Sequence, residues 1–291
     1  MRTTSNPVFK NLPKQQGGGG YANFGQGMPG APAGQPYGNQ YPPNQYGQPG
    51  QYQPYTPPAQ TTRSITIDDI VTKTAMTLGV LSVTALVSYI LSATSANNAL
   101  AMPLMLVGLI GGLVLALVAI FGNKTDNPAI VLPYAAFEGL FLGAISFVFA
   151  NIISVGGTGM IAQAVLGTFG VFAGMLVVYK TGAIRVTPRF TRMIIGATIG
   201  VVVLMLGNLI ASFFTDGGFG LRDGGPIAII FSLICIAIAA FSFLLDFDAA
   251  DDLIRAQAPE KAAWSVAFGL TVTLVWLYLE ILRLLSYFNN D

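Results

Sequence analysis

The sequence predicts an all-α membrane protein: a bundle of seven transmembrane helices behind a disordered N-terminal tail. Three observations predict it. Of 291 residues, 53% are hydrophobic and only 9% charged, and the mean hydropathy is +0.62. A water-soluble globule has about a quarter of its residues charged, so this chain lacks the ionic groups to cover a soluble surface. Its apolar residues also gather into stretches of about twenty, the length a helix needs at 1.5 Å per residue to cross about 30 Å of hydrocarbon. Finally, residues 1–64 differ in composition from everything that follows.

That leader contains QGGGGYANFGQGMPGAPAGQPYGNQYPPNQYGQPGQYQPYTPPAQ (16–60), which has no charged residue and almost no aliphatic one. Such a segment buries too little apolar surface to offset its chain entropy, so it reads as a disordered, cytoplasmic tail. No apolar stretch follows the first residues, and no cleavable signal peptide is expected. Its tyrosines suit either a plain solvated tether or a segment that recruits a protein partner. The glycine run Gly17 to Gly20 lacks the flanking strand and Lys-Ser/Thr of a phosphate loop.

The seven spans run near Val71 to Leu91, Leu100 to Phe121, Ile130 to Ile153, Met160 to Tyr179, Met193 to Phe214, Pro226 to Leu245 and Ala262 to Phe288. Short polar or Gly-rich connections join them into one domain over residues 65–291. With the N-terminus cytoplasmic, the inside segments hold Arg2, Lys10, Lys14, Arg63, Lys73, Lys124, Lys180, Arg185, Arg189, Arg192, Arg255 and Lys261, against Arg222 alone outside. This asymmetry predicts a multi-pass protein of the cell membrane with its C-terminus outside.

Composition narrows the chemistry. The chain has no histidine, which removes Ser-His and Cys-His nucleophiles and imidazole zinc sites. The single cysteine, Cys235, lies in an apolar run and reads as packing. A net charge of +1 offers no field for nucleic acid. An intramembrane aspartyl protease would need two facing aspartates, and GFGLRDGG (218–225) lies in a loop at the wrong spacing. No enzymatic activity and no resident cofactor are expected. The expected partners are membrane lipid and a cation.

Carboxylates inside spans are costly and are functional candidates by default. Glu138 lies in VLPYAAFEGLFLG (131–143), about 15 Å into its helix, among the small residues Ala135, Ala136, Gly139 and Gly143. It reads either as a functional acid facing the bundle or as a protonated brace between helices. Glu280, in TLVWLYLEILRLLSYF (273–288), can pair with Arg283 three residues on. Its face runs back through Trp276 and Thr273 to Gly269, which argues that this face meets protein. LLDFDAADDLIRAQAPEK (244–261) holds Asp246, Asp248, Asp251 and Asp252. The last two, beside Arg255, read as a solvated helix end. Asp246 and Asp248 lie deeper, as a cation-attracting and proton-sensitive pair. The spacing is not that of an EF-hand loop, so transient calcium binding at Asp248 and Asp246 would have to be assembled between helices.

The central EGLFLG (138–143), the LDFD (245–248) of the sixth span and the closing WLYLEILRLL (276–285) together resemble the Bax inhibitor family of seven-helix membrane proteins, closest to its bacterial branch. The resemblance covers about residues 65–288. It implies a calcium-leak bundle with the seventh helix at its centre, gated by acids of the sixth and seventh helices that share protons and respond to pH. The sixth-helix acid matches Asp248 after Phe247, with Asp246 as the alternative. The usual seventh-helix acidic position falls at Thr273, with Glu280 two turns further along the same face. Lys124 occupies the place of a base that pairs with the sixth-helix acid.

Two readings of function follow. One is a pH-sensitive cation leak, for calcium, in which protonation of Asp248 and its neighbours removes the charge that holds an inner gate shut against Lys124. The other is a non-conducting membrane regulator whose tail binds a membrane protease or a stress-response protein.

Overall fold

The computed structural model describes residues 63–153, 157–215 and 218–289; the expected tail lies outside these up to residue 62. Among the described residues there are no strands, only an isolated bridge between Ser64 and Pro259. Seven long helices follow: α1 (Ile67–Thr94), α2 (Ala101–Phe121), α3 (Pro128–Val148), α4 (Gly157–Thr181), α5 (Pro188–Ala211), α6 (Pro226–Arg255) and α7 (Ala262–Phe288). Each is long and apolar enough to cross a membrane. The chain is an integral, multi-pass membrane protein.

The helices begin where local chemistry starts them. α1 opens four residues before Val71 because Thr66 and Asp69 form a capping box: Asp69 N donates to Thr66 Oγ1 at 3.3 Å, and Thr66 N donates to Asp69 Oδ2 at 2.9 Å. α5 opens at Pro188, ahead of Met193, because Thr187 caps it and proline suits the first helical position. It stops at Ala211, short of Phe214. α6 carries on past Leu245 to Arg255, so the acids of LLDFDAADD project from one continuous helix.

One end of the bundle is tied together by polar links. Ile65 N donates to Ala258 O at 2.8 Å and Glu260 N to Arg63 O at 2.9 Å. Lys73 pairs with Glu260 and Lys261 with Asp126, each at 2.7 Å. The entry to α1, the α2–α3 connection and the α6–α7 connection thus share this end. Lys180 at the end of α4, Arg185 in the α4–α5 connection and Arg189 at the start of α5 join it, and it is called the basic end below.

Hydrocarbon does not drive apolar helices together, so association in a membrane rests on close packing and polar contacts. Glycine allows the closest approach in the bundle. A Cβ on Gly139 would collide with Thr84, and one on Gly143 with the Ala85 carbonyl, so α3 lies backbone-close to α1. α2 packs on α3, and α5 leans mainly on α6. α7 is the enclosed helix: 56% of its most apolar stretch is buried, against 11–22% for α1, α2, α4 and α5. Its neighbours are α6, α1, α4 and α3, which makes it the axis of the bundle, as the resemblance implied. The outward aliphatic residues of α2 and α5, such as Ile110, Leu113, Val203 and Leu206, face lipid.

Candidate functional site: the seam between α6 and α7

The α6–α7 contact carries two carboxylates at different heights, separated by an apolar stretch. At the lower one, Thr273 Oγ1 donates to Asp246 Oδ2 at 2.7 Å. Thr273 is buried, and the other Asp246 oxygen lies against Gly269. The same threonine hydroxyl is 3.2 Å from the Gly269 carbonyl. It has one hydrogen and can serve only one of these acceptors at a time. Phe243 and Phe247 stack on either side of Asp246 in the chain and meet Phe172 of α4 edge-on at 5.3 and 5.6 Å. Among the described residues no base pairs with Asp246.

Thr273 and Glu280 are seven residues apart, about 10 Å along the axis. Leu277 and Trp276 fill the interval with Ala239 and Phe243 of α6. Glu280 is only 2% exposed. Arg283 donates to its Oε1 at 3.0 Å, which is the expected intrahelical pair, and Arg222 from the α5–α6 connection reaches the same oxygen at 3.4 Å. Sequence reasoning counted Arg222 only as a loop charge. Its signal was its isolation, as the one basic residue in any connection at this end.

The remaining expected residues do not join the seam. Asp248 is two residues, about 200°, round α6 from Asp246. It faces the basic end beside Tyr179, Asp251, Asp252 and Arg255. There Tyr179 Oη donates to Asp251 Oδ2 at 2.8 Å, and Arg255 lies 3.7 and 3.9 Å from Asp251 and Asp252. The sixth-helix acid against α7 is therefore Asp246, and the preference for Asp248 is corrected. Glu138 faces α2, where a Cβ on Gly112 would lie 3.0 Å from its Oε1. Gly139 and Gly143 take the α1 contact, which turns residue 138 about 100° away toward α2. Tyr134, beside Glu138, packs on Phe268 of α7 at 4.8 Å, so ring atoms separate this acid from the seam.

Lys124 is exposed in the turn after α2, which reverses through Asn123 at φ 50°. Among the described residues it pairs with neither Asp246 nor Asp248, so the expected latch to a sixth-helix acid is not formed. Asp246, Asp248 and Glu138 point to three different neighbours and do not line one conduit. Nor do the described residues bring three or more carboxylates or cysteines together as a metal-holding group.

The three sequence segments that first suggested a family now have structural places: EGLFLG is the α3 surface against α1 and α2, LDFD holds the seam aspartate, and WLYLEILRLL is the C-terminal half of the central helix. Comparison with curated proteins finds no match to the chain. A family model described as Bax inhibitor 1 like matches residues 6–290, which takes in all seven helices. On that match the chain belongs to the Bax inhibitor 1-like family.

Proposed function

We propose that this chain is a pH-sensitive cation leak, for calcium, with the α6–α7 seam as its route and Asp246 as its titrating group. The observation that carries the reading is the Asp246–Thr273 hydrogen bond within the membrane-spanning part of the seam. Taking one ion out of water costs several kcal/mol even after relaxation, whereas a hydrogen bond to a charged group returns about 1.5–3 kcal/mol. One threonine hydroxyl does not offset an ionised Asp246, so the charged carboxylate draws in water or a cation with oxygen-ligand preference, such as calcium. When Asp246 is protonated it donates to Thr273 Oγ1, and the threonine hydrogen turns to the Gly269 carbonyl. The pair then closes as a neutral, dry contact.

This gives the sign. A latch to Lys124 would open on protonation, but that base stands elsewhere. With a hydroxyl as the partner, lowering the pH closes the seam and raising it opens the seam. With one carboxylate at this height, the response follows a single proton. The basic end is placed in the cytoplasm by the positive-inside rule, with the bacterial cell membrane as the site and passive permeation, without catalysis or cofactor, as the activity.

Calcium flux into liposomes holding the full chain, at two pH values either side of neutrality, tests the reading. The expected outcome is a flux above that of empty liposomes that is greater at the higher pH. A flux equal to that of empty liposomes at both values would remove the leak and leave the regulator reading, in which residues 1–64 recruit a membrane protease or stress-response partner.

A further inference from the structure

The upper end of the seam has more buried polar atoms than partners for them. Glu280 Oε1 receives both arginines, while Glu280 Oε2 is buried without a hydrogen-bond partner. Ser232 Oγ and Tyr287 Oη are likewise buried and unpartnered. Ser232 is 1% exposed; it borders Glu280, and Tyr287 borders Ser232. Ser232 Oγ thus stands beside both Glu280 and Tyr287, and these three oxygens, one of them on a carboxylate, form a buried oxygen cluster without a well-formed hydrogen bond. Orphaned groups of this kind need a water or an ion.

The two arginines hold Glu280 unequally. Arg283 sits on the same helix, three residues away, and its backbone stays beside Glu280. Arg222 reaches in from a separate turn with the longer contact, 3.4 Å against 3.0 Å. That turn is anchored beside α5, where Phe219 N donates to Asn208 Oδ1 at 2.9 Å and Arg222 lies 3.0 Å from Met205 Sδ. Arg222 is the replaceable cation of the pair.

We infer that Glu280, Ser232 and Tyr287 form a second cation site on the seam, closed at rest by Arg222 as a tethered cation that an entering hydrated cation displaces. This inference deepens the proposed leak and rests on it for its biological meaning. Its physical content, the exchange of Arg222 for a free cation, is read without measuring flux. The chain supplies the reporter: its only cysteine, Cys235, is fully buried beside Trp276 and lies near both Glu280 and Arg222. Departure of Arg222 lets water reach Cys235.

The test is labelling of Cys235 in the full, membrane-reconstituted chain by a small water-soluble thiol reagent, followed by intact mass. In the unmodified protein, millimolar calcium should raise the labelling rate, and Glu280→Gln should abolish that calcium dependence. Arg222→Gln should raise labelling about tenfold without calcium, the equivalent of 1.4 kcal/mol, and Arg222→Lys should restore protection. A labelling rate in the unmodified chain that is indifferent to calcium overturns the inference, and that arm does not depend on how any variant folds. Equal labelling of folded Arg222→Gln and the unmodified chain overturns it as well. Labelling that responds as expected while flux is nil in every sample keeps the site and removes the leak.

Discussion

The two carboxylates of the α6–α7 seam are kept in a membrane by opposite means. Asp246 has a hydroxyl and, among the described residues, no base, with a neutral closed state on the proposed reading. Glu280 has two arginines on one oxygen and none on the other. On the proposed reading the first arrangement closes dry when protonated and opens to water when ionised, whereas the second depends on charge and yields to a competing cation. On that reading one end of the seam answers pH and the other answers cations, with Leu277 and Trp276 between them.

The largest expected effect is on stability at Glu280. Glu280→Ala leaves Arg222 and Arg283 uncompensated and should cost about 3 kcal/mol, the low end for breaking a buried pair, because both arginines are partly exposed; unfolding in detergent reads it. Next is Thr273→Val, which strands the Asp246 carboxylate without its donor and should cost about 1–3 kcal/mol by the same measurement. Asp246→Ala should cost less than Thr273→Val, since the freed threonine keeps the Gly269 carbonyl as an acceptor. If removing the aspartate costs more than removing the hydroxyl, the contrast between a self-sufficient lower pair and a charge-dependent upper one is broken.

Thr273→Asp sharpens the comparison in another way. Two acids at one height share protons, and their titration splits into two macroscopic steps. Flux against pH should change from a single-proton curve to a broader, two-step one; an unchanged curve would mean that Asp246 is not the titrating group. The smallest effects belong to the acids off the seam. Glu138→Gln and Asp248→Asn should each leave flux within about twofold, less than 0.5 kcal/mol.

Much of the fold was legible because lipid imposes a length; α7 was read to both its ends, whereas α6 runs on past the expected Leu245 to Arg255. The Glu280–Arg283 pair and the α7 face through Trp276, Thr273 and Gly269 were legible too, since helical spacing alone defines them. The rotation of one helix against another was not. Helices that are apolar on nearly all sides show no stripe to orient them, so Glu138 could not be turned toward α2 without knowing that Gly139 and Gly143 meet α1. The choice between Asp246 and Asp248 did have a signal. Asp248, Asp252 and Arg255 share one polar face of α6 at helical spacing, while Asp246 stands apart from it. The loop approach of Arg222 to Glu280 joins residues 58 apart, and no local pattern encodes it. Lys124 was misplaced because proximity to a helix end says nothing of which way the following turn points.

The central claim is that Asp246 carries the cation through the seam. The direct measurement is calcium flux in liposomes at the permissive, higher pH for the unmodified chain and for Asp246→Asn, which preserves the shape and the hydrogen bond to Thr273 but removes the charge. The account predicts a fall of about tenfold, the loss of 1.4 kcal/mol of cation stabilisation. An Asp246→Asn protein that conducts as well as the unmodified chain, with the same pH dependence, would contradict it.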